Sequence, residues 1–245
     1  MNQKQYKKES ISNSICIIPA RGGSKRIKRK NIRLFQGRPI IEWSIEGAKT
    51  SNVFSRIIVS TDNEQIATIS QQAGAEVPFM RPKHLSDDYT DTRAVIEHAI
   101  TKLTIKADET WNVCCLYATA PFVSADRITE GRKYLMNSKP GSVVFAATTF
   151  PFPIQRAIKL DGNGYSKPFD SRSIRKRSQD LEEFYHDAGQ FYWAKASTWM
   201  NNINIFEKGR PLILPRHHVQ DIDTEEDWKR AELMHKVLYT EAKNV

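Results

Sequence analysis

From Ile15 onward the chain sets short, largely apolar runs between longer amphipathic ones. Ile15–Ala20, Arg56–Thr61, Trp111–Tyr117 and Ser142–Ala147 are dense in Ile, Val, Cys and Ala. Such runs are the mark of strands buried on both faces. Between them, Pro39–Lys49, Asn63–Gln72, Asp91–Leu103 and Ser124–Asn137 repeat apolar residues at helical spacing. Pro39 suits a first helical turn, and Thr90 or Asp91 an N-cap. Glu76–Met80 reads as a short third strand. The alternation predicts an α/β domain with a mostly parallel sheet and helices on both faces. In such sheets ligands bind beyond the carboxyl ends of the strands.

The rhythm changes after Phe150. A Pro-rich FPFP, a turn at Asp161–Gly164 and the charged run Arg172–Glu183 predict an insertion over 150–192 that carries antiparallel strands or an arm. Pro211–Leu214 is expected to rejoin the main sheet, and Asp223–Tyr239 to form the last helix. Residues 1–14 are polar and basic without the apolar centre of a signal peptide, so they read as a flexible tail ahead of a domain over 15–245.

The 245 residues, 40% hydrophobic and 27% charged, suffice for one large α/β domain with a real core. No apolar stretch approaches the ~20 residues needed to cross a bilayer, so no membrane role is expected. Cys16, Cys114 and Cys115 lack metal-ligand spacing and read as buried free thiols in a reducing cytoplasm. The adjacent pair should point to opposite faces of one strand.

The net charge of +9 is unevenly spread. From Ser10 to Ile41 there is no acidic residue, while Arg21, Lys25, Arg26, Lys28, Arg29, Lys30, Arg33 and Arg38 all fall there. Cations focused after one strand suggest a phosphate site more than a nucleic-acid face. Gly22 and Gly23 let backbone amides approach a phosphate. Arg21 can grip it in a fork and Lys25 can supply a mobile charge. Asn31 closes the run with an amide that both donates and accepts, as a base edge requires. The loop is neither GxxxxGK[ST] nor GxGxxG. Near the end of the chain, Asp221 and Asp223 are spaced to share one face of an extended segment. Two carboxylates completed by substrate phosphate are the usual Mg²⁺ arrangement. A capping box, with Asp223 as N-cap and Glu226 three residues on, competes for the same segment.

IIPARGGSKRIKRKN resembles the signature of the CMP-nonulosonate cytidylyltransferases, the group that includes CMP-sialic acid synthetases. The resemblance runs from Ile15 to Trp228 and implies a three-layer, Rossmann-like nucleotide-diphospho-sugar transferase fold with an inserted dimerisation arm. It implies CTP binding by Ala20, Arg21, Gly22, Gly23, Ser24 and Lys25, with Arg21 and Lys25 stabilising charge on the triphosphate. It further implies that Lys30 and Asn31 contact phosphate and cytosine. Arg81-Pro-Lys-His-Leu-Ser-Asp resembles the family's RPxxLxxD segment, which carries nucleotide contacts over to Arg81 and Thr92. The alternative for Thr92 is helix capping. The D-I-D pair of Asp221 and Asp223 is the family's Mg²⁺ site.

Two departures from the sialic acid pattern match the pseudaminic acid branch of that family: Tyr117-Ala-Thr-Ala-Pro121, and HDAGQFYW after RSQDLEEFY. They imply sugar-acid contacts from Tyr117, Arg177, Gln179, His186 and Gln190. Structural burial is the competing reading for His186 and Gln190, while Phe191, Tyr192 and Trp193 read as core. The implied reaction is CTP plus pseudaminic acid giving CMP-pseudaminic acid and pyrophosphate, in a homodimer whose arm packs on the partner. Sialic and legionaminic acids are the nearest rival substrates. An RNA-binding module is the rival of another class; the charge focused on one loop, and the lack of an RNA-binding pattern, weigh against it.

Overall fold

The computed structural model describes residues 13–201, 204–207 and 209–241. The expected tail therefore lies outside the described residues, apart from Asn13 and Ser14. Ser14 is fully buried as the first residue of β1 (Ser14–Pro19).

Six strands form the central sheet: β1, β4 (Arg56–Ser60), β5 (Asn112–Leu116), β6 (Val143–Thr149), β9 (Tyr185–Lys195) and β10 (Gly209–Ile213). Their order is β10-β6-β9-β5-β1-β4. Neighbours pair in parallel except β9, which runs antiparallel to both β5 and β6. Helices α1 (Ile40–Ser51), α2 (Glu64–Gln72), α3 (Thr92–Lys102), α4 (Ala125–Met136), α5 (Ala196–Met200) and α6 (Glu225–Glu241) complete the α/β fold. A two-residue hairpin, β2 (Leu34–Phe35) and β3 (Arg38–Pro39), leads into α1.

Burial follows the apolar pattern. Cys114, Ile18 and Trp193 face one apolar layer, and Cys115, Ile17 and Tyr192 the other. The adjacent cysteines thus occupy opposite faces, and all three thiols are free. A third cluster wraps Phe35 and Trp228 where the hairpin meets α6. Among the described residues no helix is long and apolar enough to cross a membrane.

Three local expectations need correction. Glu76–Met80 is not a strand: only Glu76 and Met80 bridge to β4 and its end. Pro78 lies between them and has no N–H for a ladder. The insertion does not extend to Tyr192. Its hairpin, β7 (Ile158–Leu160) and β8 (Ser166–Pro168), turns at Asp161–Gly164 as expected, but Tyr185–Lys195 is a central strand of the main sheet. The run Phe191–Ala194 is wholly buried, as a strand flanked on both sides demands. Finally, Asp223 does not cap the last helix. Thr224 does: its hydroxyl accepts from the Asp227 N–H at 3.2 Å, and the Asp227 carboxylate accepts from the Thr224 N–H at 2.8 Å. The capping box is shifted by one residue, which leaves the Asp223 carboxylate to the neighbouring cleft.

The chain leaves β1 for β4 on one side and later reaches β5 on the other, so the sheet order reverses at β1. The crevice beyond its carboxyl end is where such sheets bind ligands. Because β9 is antiparallel, its first residues meet the same edge, with His186 opposite Thr148 and Asp187 opposite Ala147 near the end of β6.

Candidate active site

The basic loop is held from behind. Ala20 is buried, its N–H bonded to the Ser60 carbonyl at 2.9 Å. The Gly22 N–H donates to the Asp62 carboxylate at 2.8 Å. A Cβ on Gly22 would lie 3.0 Å from the Asn63 side chain, so any larger residue would press Asn63 aside. Asn31 is buried, and its Nδ2 donates to the Arg21 carbonyl at 2.9 Å. Its amide therefore ties the end of the loop to its start. Gly23 stands in open space: a Cβ there would meet nothing within 4 Å.

The loop forms one wall of a cleft of about 260 Å³ that brings together Arg21, Ser24, Lys25, Lys30, Asn31, Arg81, Thr92, Tyr117 and Asp223. Five cations reach it: Arg21, Lys25, Arg26, Lys30 and Arg81. Arg81 is 5% exposed; its Nε donates to the Ser86 hydroxyl at 3.2 Å, and its Nη2 has no partner among the described residues. Desolvation pulls its pKa down, against the pull of Asp62. Asp88 pairs with Arg21 at 2.5 Å and with Lys25. Hydrogen bonds from Lys25 and then Arg21 hold its carboxyl below the usual carboxylate range. Asp223 pairs with Arg26 at 2.9 Å and lies 3.4 Å from Lys30, whose ammonium also donates to the Ile222 carbonyl at 2.7 Å. Thr92 opens α3 while the preceding Asp91 caps it, accepting from the Ala94 N–H at 2.7 Å. The Thr92 hydroxyl is thereby left for Tyr117, 3.2 Å away.

A second cavity adjoins the first at Asp223 and contains Asp221, His186, Gln220 and Arg216. Asp221 lies open to that cavity but is crowded by protein. Desolvation first, and the Asp223 charge second, raise its carboxyl above the usual range. A carboxylate so placed, with Asp223 beside it at the join of the two cavities, fits a divalent cation chemically. Among the described residues no group of three or more His, Cys, Asp or Glu could hold one, so substrate oxygens would have to complete the shell.

The remaining expected sugar contacts are not gathered with these. His186 reaches the second cavity, its Nδ1 2.8 Å from the Asp187 carbonyl. Gln190 is buried, and its amide donates to the His218 carbonyl at 2.7 Å. Arg177 and Gln179 lie on an exposed turn of the arm, where Arg177 pairs with Asp180 at 2.8 Å, and they line neither cavity. Sequence reading missed Asp62 and Asp88. The paired carboxylates Asp87 and Asp88 after the RPKHLS segment were the available signal for Asp88; nothing local distinguishes Asp62.

A cation cluster at the switch point of a mostly parallel sheet, beside a carboxylate pair, fits a nucleotidyltransferase. The Cytidylyltransferase family model matches residues 15–205, and the chain belongs to that family. The pseudaminic acid cytidylyltransferase of Campylobacter jejuni is 43% identical over 94% of this chain and 99% of its own length. The CMP-N,N'-diacetyllegionaminic acid synthase of Legionella pneumophila is 32% identical over 89% of this chain and 94% of its own. Among solved structures, a CMP:2-keto-3-deoxy-manno-octonic acid synthetase complexed with CTP matches the fold with a TM-score of 0.65, covering 91% of this chain and 98% of that one at 14% identity.

Proposed function

We propose that the protein transfers CMP from CTP to the anomeric hydroxyl of pseudaminic acid, releasing pyrophosphate. The observation that carries this reading is the buried, incompletely partnered Arg81 facing Arg21, Lys25 and Lys30 across one cleft. Such a concentration of cations calls for a polyanion, and the 43% identity to a pseudaminic acid cytidylyltransferase supports which one and which acceptor.

The sugar hydroxyl attacks the α-phosphorus in line; the new P–O bond forms as the bond to the β-phosphate oxygen breaks, pyrophosphate leaves, and the hydroxyl proton passes to solvent. Catalysis of this kind rests on positioning and charge stabilisation. Arg21 and Lys25 hold the triphosphate and stabilise the charge that builds on the leaving group. Ala20 and Gly22, whose N–H groups are held by Ser60 and Asp62, anchor the turn behind the cleft with Gly23, and Ser24 stands on the cleft wall. Lys30 and Arg81 add charge, Asn31 holds the loop beside the base, and Thr92 offers a hydroxyl. Tyr117 and His186 belong to the sugar side in this reading, while Gln190, which is buried, and Arg177 and Gln179, which are exposed on the arm, line neither cavity. Asp221 and Asp223 would hold Mg²⁺, which when bound supplies Lewis-acid charge neutralisation at phosphate.

The arm carries Phe152, Ile158, Leu160, Tyr165 and Phe169 on its exposed surface. In this reading that apolar face packs on a second copy, giving a homodimer. Three free, buried thiols suit a cytoplasmic enzyme.

A pyrophosphate-release assay with CTP and Mg²⁺ across pseudaminic, legionaminic and sialic acids tests the proposal. Preferred turnover of pseudaminic acid is expected. Preference for another acid would overturn the substrate assignment, and no release with any of them the activity itself.

A further inference from the structure

Three consecutive residues where β4 ends hold both walls of the first cleft. The Ser60 carbonyl accepts from the Ala20 N–H at 2.9 Å, and the Thr61 carbonyl from the Arg81 N–H at 2.7 Å. The Asp62 carboxylate accepts from the Gly22 N–H at 2.8 Å. The first two are backbone bonds that residues of many kinds could make. Only the third depends on a side chain. Asn63, next in line, backs the loop: it caps α2 by accepting from the N–H groups of Gln65 and Ile66, and it leaves no room for a Cβ on Gly22.

Asp62 does not line the cleft, so it can act on a ligand only through what it holds. What it holds is one end of a peptide plane. The Arg21 carbonyl and the Gly22 N–H belong to the same rigid unit. The carbonyl accepts from Asn31 Nδ2 at 2.9 Å and the N–H donates to Asp62, so the plane is fixed at both ends. With either bond gone it can pivot about the other, and the Arg21 side chain swings with it. The charge of Asp62 has a separate effect. Desolvation is the main cause that lowers the pKa of Arg81; Asp62 opposes the fall and Arg21 adds to it. The two guanidinium groups thus repel one another, with Asp62 as a counter-charge behind them.

We propose that Asp62 is a positioning residue for CMP transfer: by fixing the Arg21–Gly22 peptide plane against Asn31, it aims the Arg21 guanidinium at the triphosphate. This rests on the reading that the first cleft binds CTP.

Two variants separate the acceptor from the charge. Asp62→Asn loses the charge and keeps an oxygen that can accept from Gly22. Asp62→Ala loses both. A negative charge leaves the rear of the cleft in each, so calorimetry should show CTP bound at least as tightly as by the parent. Turnover should part them. Asp62→Ala should cut kcat by about 10- to 100-fold, the scale on which a misplaced group costs rate. Asp62→Asn should keep most of it. Arg81 loses its counter-charge in both variants, so a shared drop in melting temperature does not account for turnover lost in only one. Parental kcat in Asp62→Ala, equal losses in the two variants, or a loss confined to the KM for CTP would overturn the inference.

A readout without substrate serves if Asp62→Ala does not fold. By NMR the Gly22 amide should exchange slowly in the free parent protein and stay protected in Asp62→Asn. A parent that neither binds CTP nor releases pyrophosphate from it would sink the functional reading. A Gly22 amide that exchanges freely in the parent would sink the placement of Asp62.

Discussion

The carboxylate of Asp88 lies 2.5 Å from the guanidinium of Arg21 and at the same time pairs with the ammonium of Lys25. It stands where a phosphate would stand in the proposed reaction. A triphosphate must displace it to reach both cations. Both pairs are open to solvent, so each is weak and screened by salt. Asp88→Asn should therefore bind CTP about two- to fivefold more tightly at low ionic strength. The gain should shrink along a salt series in calorimetric titration. Weaker binding in the variant would make Asp88 an organiser of the cations rather than a competitor for them.

Arg81 offers a test in which affinity and stability move apart. It is buried with one nitrogen unpartnered, and its charge is carried at a desolvation cost. Arg81→Met should weaken CTP binding by more than about tenfold, as loss of a charge-assisted contact does. Its melting temperature should hold or rise, because a buried cation only partly compensated by Ser86 and Asp62 is gone. A clear drop in melting temperature would show that Arg81 is structural.

The α/β architecture was legible because strands buried on both faces write themselves as apolar runs. The basic loop was legible because cations and glycines crowd one segment after β1. What escaped were relationships that need the third dimension. From sequence β9 merges with the insertion, because its antiparallel direction leaves no mark in its composition. Its direction is what carries Asp187 to the ligand edge, where it meets Tyr192 and lies near Asp221. The Thr224–Asp227 cap was missed because Asp223 and Thr224 are both good N-caps, and only geometry decides between them. Glu76–Met80 kept its bridges to the sheet but not its ladder, for want of one N–H at Pro78.

Lys25 is the most exposed of the cleft's cations, so its substitution should cost little stability. Lys25→Ala should cut turnover by ~100-fold or more if the ammonium stabilises charge on the departing pyrophosphate, by analogy with loss of one oxyanion donor. Steady-state kinetics check this, and near-normal turnover would remove Lys25 from the mechanism.

Asp221→Asn tests the metal assignment. The carboxyl is raised by desolvation and by Asp223, so its replacement removes a like-charge repulsion while abolishing a ligand. The variant should hold its fold and lose either its activity or its magnesium response. An unchanged magnesium titration would move the metal elsewhere.

His235 predicts how stability depends on pH. It is buried beside Trp43 at 4.3 Å and Tyr239 at 4.1 Å, and its Nε2 has no partner among the described residues. Desolvation first, and the charge of Arg38 second, bring its pKa down to about 4 from the usual 6.5. Below 6.5 the unfolded chain takes up a proton that the folded chain refuses. The histidine's contribution is thus fully present above pH 6.5 and is lost as pH falls toward 4. His235→Leu has no such proton to refuse. Its melting temperature should fall less than that of the parent between neutral pH and pH near 5, by an amount of the order of a few degrees. Parallel calorimetric scans across that window read the difference directly; equal slopes in the two proteins would mean that the buried ring is protonated in the folded state as readily as in the unfolded one.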